Sequence, residues 1–416
     1  MNILILHRVP YQRVDYARGI DHNQHDVTYF GVRDILDTLP TDLRCIKVER
    51  PGKASAFKEA RAWLEAQLQQ FDRVIAMSEY ELLDAARLRE WLGVSGAKVD
   101  EVSLVRDKLL MKRAVAQAGL RVPRFMPLHA FLANPQRVPW KSTTVLKPHS
   151  GASSEDVKIF DSPAHAMAAI RSRTSQIARL DKGMEVAAEY EIEEFVDGDI
   201  LHFDGLVANG ELLTITASRY VGTCLGYAQG LPLGSFHFPI TPLYREWATQ
   251  ALAAVGIRQG SFHLEAIEHN GLVFLEVGNR VGGADVVPTF ELATGVHLPS
   301  EELRILLDGR PSRPLPATQV SNAWHGWFVF PGHTRGGEPY WGIAGASQFR
   351  HDASVIRWAE LELGAQQTQK ITYSANEAPL AGIVAHRDWQ ATRDWIERIF
   401  HGARSTEGSL LQQTAI

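Results

Sequence analysis

Three short stretches of this chain carry residue types suited to binding and moving phosphoryl groups. The first is Val145-Leu146-Lys147-Pro148-His149-Ser150-Gly151-Ala152-Ser153-Ser154, an apolar run that ends in a lysine and opens into a loop of small residues. Such a loop lets backbone N–H groups approach phosphate oxygens, with the ammonium of Lys147 as a point charge alongside. It lacks the G-x-x-x-x-G-K-[ST] order of a Walker A loop, and read alone it is an ordinary hairpin turn. The second, Glu193-Glu194-Phe195-Val196-Asp197-Gly198-Asp199, runs from carboxylates through an apolar pair into a turn, and read alone it is a strand edge with a solvated acidic face.

The third stretch changes the balance. Phe262-His263-Leu264-Glu265-Ala266-Ile267 and Val273-Phe274-Leu275-Glu276-Val277 read as adjacent strands joined by the tight turn His269-Asn270-Gly271. Side chains alternate along a strand, so Glu265 and Glu276 are expected on the same face of neighbouring strands. Two carboxylates in apolar strands are costly unless a cation neutralises them. Hard oxygen ligands of this kind suit Mg²⁺, which typically takes one or two carboxylates plus substrate phosphates. Arg280, Gly282 and Gly283 follow at once, a cation and a flexible loop where negative charge develops.

The elements around these stretches predict a chain of several modules. With 416 residues it should hold two to four units of roughly 100–150 residues. Strands at Asn2–Leu6, Asp26–Phe30, Cys45–Glu49 and Arg73–Ala76 alternate with helices at Ala54–Gln70 and Glu79–Leu92. The first helix carries its apolar residues at Ala60, Leu64 and Leu68. That alternation argues for a parallel, Rossmann-like α/β unit over 1–100, although no G-x-G-x-x-G follows its first strand. A helix is expected over Leu104–Ala118, and a small α+β lobe over 101–185. From Val186 the pattern turns β-rich, giving a larger lobe over 186–310 and a β-rich C-terminal lobe over 311–416 behind the linker Pro311, Pro314, Pro316.

Composition excludes some partners. A net charge of −5 lacks the basic excess that neutralises nucleic acid phosphates. No apolar stretch approaches the roughly 20 residues of a membrane helix, and the apolar start is cut short by His7 and Arg8, so a cytoplasmic enzyme is expected. Cys45 and Cys224 match no zinc or disulfide spacing and fit a reducing compartment. His22 and His25 have a spacing more typical of a polar turn than of a metal site.

In series, these motifs resemble the ATP-grasp superfamily over about residues 1–400. The resemblance implies two lobes that clamp ATP, with Mg²⁺ (or Mn²⁺) as cofactor. It implies Lys108 and Lys147 as phosphate-binding lysines with the Ser153–Ser154 loop beside them. The segment Glu193, Glu194, Phe195, Val196 becomes the hinge that reads adenine, Arg219 another phosphate-binding cation, and Glu265 and Glu276 the metal carboxylates. Arg280 matches the arginine that steadies the transferring group. The chain departs from the family's E-x-N-x-R motif, since Gly278 holds the middle position and the asparagine is Asn279. The ribose-binding acid is replaced by Ile200, with Asp199 or His202 as substitutes. The form E-V-G-x-R-x-G-G and the aromatic segment Trp324–Phe330 are most similar to the L-amino acid ligase branch. That implies amino acids as small-molecule substrates and dipeptide formation through an acyl phosphate, with His237 or His263 as the base. Homodimers are common in the superfamily. Other carboxylates, or a non-catalytic nucleotide-binding role, are the competing readings.

Overall fold

A computed structural model describes residues 1–66, 69–151 and 154–405. Leu68 and Ser153 lie outside the described residues. The N-terminal unit is a parallel sheet of β1 (Asn2–His7), β2 (Asp26–Gly31), β3 (Ile46–Glu49) and β4 (Arg73–Ala76), in the order β3-β2-β1-β4. Ile3, Leu4, Ile5 and Leu6 are all buried, because β1 is central and covered on both faces. The helix after β3 spans Ala56–Glu65, opened by Ser55, whose hydroxyl accepts from the Lys58 N–H.

The helix expected over Leu104–Ala118 is two helices, Val99–Leu104 and Lys108–Gln117. Asp107 divides them: its carboxylate accepts from the N–H groups of Leu109 and Leu110 at 2.8 and 3.1 Å, an N-cap that starts a new helix. Lys108 thereby becomes the first residue of a helix rather than part of a continuous one.

The next sheet comprises β5 (Phe125–Pro127), β6 (Thr144–Pro148), β7 (Lys158–Phe160) and β8 (Tyr190–Glu194), antiparallel in the order β5-β8-β6-β7. The larger sheet has eight strands: β9 (Asp199–Ala208), β10 (Glu211–Val221), β11 (Leu233–Phe238), β12 (Gly260–Glu268), β13 (Leu272–Gly278), β14 (Trp324–Phe330), then β16 (Val355–Glu360) and β17 (Leu380–His386). Between them in sequence, β15 (Ile343–Ala344) pairs with β18 (Arg404–Ser405). The smaller sheet thus runs to Glu194, past residue 185. The strands beyond residue 311 extend the larger lobe's sheet in the order β13-β12-β9-β10-β11-β14-β17-β16.

The join is β11, a strand hidden in the sequence by Gly230, Pro232 and Gly234. Gly234 is a packing requirement, since a Cβ there would lie 2.7 Å from Ile396 Cγ2 and 2.9 Å from Trp327 O. The helix Trp389–Gly402 closes over this region with Trp395, Ile396 and Ile399 fully buried.

The eight-stranded sheet has two unlike faces. Leu201, Phe203, Ala217, Leu264 and Ala266 pack under the helix Pro242–Ala254 and against Met111 and Val115 of Lys108–Gln117. The opposite face is apolar at one end, where Leu206 and Ala208 meet Phe290, Leu298 and Ile305. Its middle is polar, and that middle faces the smaller sheet. Among the described residues no helix is long and apolar enough to cross a membrane.

Candidate active site

A cavity of about 1180 Å³ opens between the two sheets and the N-terminal unit. It exceeds the few hundred to roughly 1,000 Å³ of a pocket for one drug-sized ligand. Its wall includes Lys108, Lys147, Ser154, Phe195, Val196, Glu265, Glu276 and Arg280. The two glutamates lie directly opposite each other across β12 and β13, followed by a register shift in the ladder. Lys108 reaches this pair from its helix N-terminus: its Nζ lies 2.7 Å from Glu276 Oε2 and donates to Gly151 O at 3.1 Å. Burial opposes ionisation of Glu276, yet Lys108 and Lys147 hold its carboxyl below the usual range.

A second charge cluster supports the floor of the smaller lobe. Lys112 is completely buried and sits 2.7 Å from Glu191 Oε1 and 2.5 Å from Glu193 Oε2. Lys147 lies 2.6 Å from Glu193 Oε1. Burial lowers the pKa of Lys147, but Glu193, Glu191 and Glu276 bring it above the ordinary value. The Glu193 carboxylate is therefore engaged by two lysines and is not free to read a nucleobase. Glu194 is also engaged, accepting from the Arg124 backbone N–H at 2.8 Å and from Arg124 Nε at 2.6 Å. Phe195 is 42% exposed and, with Val196, presents the hinge to the cavity.

Arg280 is fixed by a residue that the sequence reading missed. Its Nε donates to Glu79 Oε2 at 2.6 Å and one Nη to Val281 O at 2.7 Å, while Glu79 also pairs with Arg106. Burial opposes the charge on Glu79, but Arg280, Arg106 and Lys108 bring its pKa down to about 2. Glu79 follows β4 at the carboxyl end of a parallel strand, the end where open α/β sheets place functional groups. Asn279 turns away from the carboxylates, donating to Gln259 O and Ser261 O at 3.1 and 2.7 Å.

Four further expected roles do not fit the geometry. Arg219 lies on the opposite sheet face from its neighbour Tyr220, because side chains alternate along β10. There it pairs with Asp199 and Glu268 at 2.6 Å each, outside the cavity wall. His237 is buried outside the cavity wall too, and burial with the nearby His325 lowers its pKa to about 3. His202 is 1% exposed beneath the floor, its Nδ1 2.6 Å from Asp204 Oδ2 and its Nε2 2.6 Å from Ser235 Oγ, so it cannot reach a ribose.

His263 does line the cavity, but both ring nitrogens are engaged: Nδ1 lies 2.7 Å from Asp204 Oδ1 and Nε2 3.2 Å from Glu265 Oε1. Burial alone would lower its pKa, and the Asp204 carboxylate raises it to about 10. With both nitrogens held by carboxylates, the ring has no free lone pair facing the cavity, and it does not fit the role of the base.

The carboxylate pair fits a hard divalent cation, since two oxygen-bearing side chains stand opposite each other on the cavity wall, with Lys108, Lys147 and Arg280 on the same wall for phosphate charge. No family model matches this chain. It is 25% identical over 243 residues to the L-arginine-specific L-amino acid ligase of Bacillus subtilis, covering 56% of this chain and 57% of that protein. The match thus spans little more than half of that relative's length. Among solved structures, the L-amino acid ligase from Bacillus licheniformis superposes with TM-score 0.70 at 19% identity, covering 97% of both chains. N5-carboxyaminoimidazole ribonucleotide synthetase from Thermotoga maritima gives 0.64 at 13% identity, over 97% of this chain and 98% of that one. The biotin carboxylase domain of the Hydrogenobacter thermophilus 2-oxoglutarate carboxylase, solved with MgADP and bicarbonate, gives 0.61 at 13% identity, over 97% and 90%.

Proposed function

We propose that this chain, whose fold is that of the ATP-grasp enzymes, is an ATP-dependent carboxylate–amine ligase that joins two amino acids and releases ADP and phosphate. The observation that carries this reading is Glu265 opposite Glu276 on one sheet face, with Lys108, Lys147 and Arg280 lining the same cavity. A carboxylate attacking a γ-phosphate meets electrostatic repulsion, so catalysis requires positive charge placed before the reactants meet. Lys147 supplies it from the smaller sheet, Lys108 from the start of the helix that packs on the larger sheet, and Arg280 from the loop after β13. Glu265 and Glu276 are the residues to hold Mg²⁺, which would neutralise phosphate charge as a Lewis acid.

The hinge Phe195–Val196 offers a surface and backbone groups to adenine. Closing the two sheets on the cavity excludes water, which otherwise hydrolyses an acyl phosphate. When the amine attacks, the developing oxyanion needs donors, and the candidates along the cavity wall are Arg280 and the Gly282 and Gly283 backbone N–H groups. The amine proton goes to neither His237 nor His263.

Phosphate release from MgATP against all twenty amino acids, singly and in pairs, with mass spectrometry of the products, tests this reading. Release that needs a pair and yields the sum of their masses less water is the expected result. Release with a carboxylate but no peptide would move the substrate to another class, which the carboxylating enzymes among the structural neighbours favour. ATP binding without release under any mixture would overturn the catalytic reading.

A further inference from the structure

Beneath Glu265 lies a connected set of buried side chains that no step of the proposed reaction uses. Asp204 is 1% exposed at the centre of the sheet and accepts from two imidazoles, one through each carboxylate oxygen: His202 at 2.6 Å and His263 at 2.7 Å. Strand register explains the grouping. Glu265 pairs with His202, and His263 with Asp204, across β12 and β9, so the four side chains project from one face. His202 is anchored at its far nitrogen by Ser235 Oγ, 2.6 Å away.

The chain of contacts ends on one atom. Glu265 Oε1 faces His263 Nε2 at 3.2 Å and accepts from Tyr220 O–H at 2.9 Å. No contact of this kind is seen for Glu265 Oε2 among the described residues. The loop after Arg280 seals the cluster: a Cβ on Gly282 would lie 2.8 Å from His263 Nδ1 and 2.9 Å from Asp204 Oδ1. Glycine is the residue that lets the loop lie this close.

We propose that Asp204, through His263 and together with Tyr220, is a positioning device that occupies Oε1 of Glu265 and presents Oε2 alone to the metal. This deepens the reading of Glu265 as a metal ligand and rests on it. A carboxylate tied down at one oxygen coordinates through the other, which suits the compact octahedral shell of Mg²⁺ or Mn²⁺. Ca²⁺ more often takes both oxygens of a carboxylate in a larger, looser shell. Partners behind a ligand fix its orientation, and removing one typically costs about 10–100-fold in metal affinity. The same three residues, His202, Asp204 and His263, also have ligand atoms within 4.8 Å of one another. Each of their inward nitrogens is already matched to an Asp204 oxygen, which favours a hydrogen-bonded cluster over a second metal site.

The test is Mn²⁺ binding to the ADP-loaded protein, followed by the paramagnetic resonance of free Mn²⁺, beside ADP binding without metal. In Asp204→Asn the Mn²⁺ dissociation constant should rise about 10–100-fold, with metal-free ADP affinity unchanged and the preference for Mn²⁺ over Ca²⁺ reduced. Tyr220→Phe keeps the ring and removes one donor to Oε1, and it should shift Mn²⁺ affinity in the same direction. If Asp204→Asn does not fold, Tyr220→Phe decides. Unchanged Mn²⁺ affinity and selectivity in the folded variants would overturn the proposal while leaving the metal assignment intact, provided Glu265→Gln still abolishes Mn²⁺ binding. Full Mn²⁺ binding in Glu265→Gln would remove the metal assignment itself, and this proposal with it. A stoichiometric ion retained by Glu265→Gln and lost in His202→Ala would also overturn it, by making the cluster a metal site in its own right.

Discussion

On one face of the eight-stranded sheet, Leu201, Phe203, Ala217 and Leu264 meet the helix Pro242–Ala254. On the other, one residue along each strand, His202, Asp204, His263 and Glu265 meet one another. Both faces are buried, but they are held in different ways. The apolar face gains from area removed from water, so its contacts are many, individually small and indifferent to direction. The polar face is tolerable only because each carboxylate and imidazole finds a directional partner, and leaving one unmatched costs more than any single contact gains. Stability is thus concentrated on the first face and the candidate catalytic groups on the second, and the parity of a residue along its strand decides which it joins.

The comparison breaks most visibly if either face does the other's work. Glu276→Gln removes a carboxylate from the polar face and should lower kcat on the order of 10²–10³-fold while the thermal midpoint stays close to that of the parent. Steady-state rates beside a melting curve check both halves. Phe203→Ala, at a fully buried site of the apolar face, should instead destabilise by about 3–5 kcal/mol in denaturant unfolding, with kcat of the folded protein retained.

Glu302 sharpens the contrast, because it is a buried carboxyl at the edge of the polar face for which no ion pair is seen among the described residues. Burial raises its pKa from the ordinary 4.5 to about 7, only partly offset by Ser261, whose hydroxyl donates to it at 2.6 Å. A carboxyl with a raised folded pKa contributes stability at low pH, and that contribution is lost as pH rises from about 4.5 to about 7. Glu302→Gln should flatten the pH dependence of stability across that window, with a gain at pH 8 of at most roughly 3 kcal/mol. The smallest effect is expected of Arg219→Ala. Its side chain is 30% exposed and its partner Asp199 63% exposed on the far face, so stability should change by less than about 1 kcal/mol and kcat should not change. A large loss of kcat would place Arg219 in the reaction after all.

Much of this was legible in the residues. The pattern apolar–Glu–apolar on two strands joined by His269-Asn270-Gly271 leads to the opposed pair Glu265 and Glu276, and Lys147 at the end of its strand leads to the cavity. The alternation that located Glu265 was equally present in His202-Phe203-Asp204, where a polar residue at every second position of an apolar strand signals a polar sheet face. Read against His263-Leu264-Glu265 it points to the cluster, but nothing in either strand says that they are neighbours, since β9 and β12 are separated by two intervening strands in sequence. Lys112 and Glu79 were hidden for a similar reason. A lysine within a helix and a glutamate after a strand look solvated until tertiary packing brings Glu193 to one and Arg280 to the other. Arg219 misled because order along the chain gave its position, whereas strand parity gave its direction.

The most direct test of the central claim follows an oxygen atom. A carboxylate substrate found by the phosphate-release screen would be labelled with ¹⁸O in its carboxyl group and turned over with MgATP and the amine partner, and the released phosphate would be analysed by mass. If the polar face activates the carboxylate by phosphoryl transfer, one labelled oxygen leaves with the phosphate. Phosphate that carries no label, formed alongside the coupled product, would contradict activation of the carboxylate as an acyl phosphate at Lys108, Lys147, Glu265, Glu276 and Arg280.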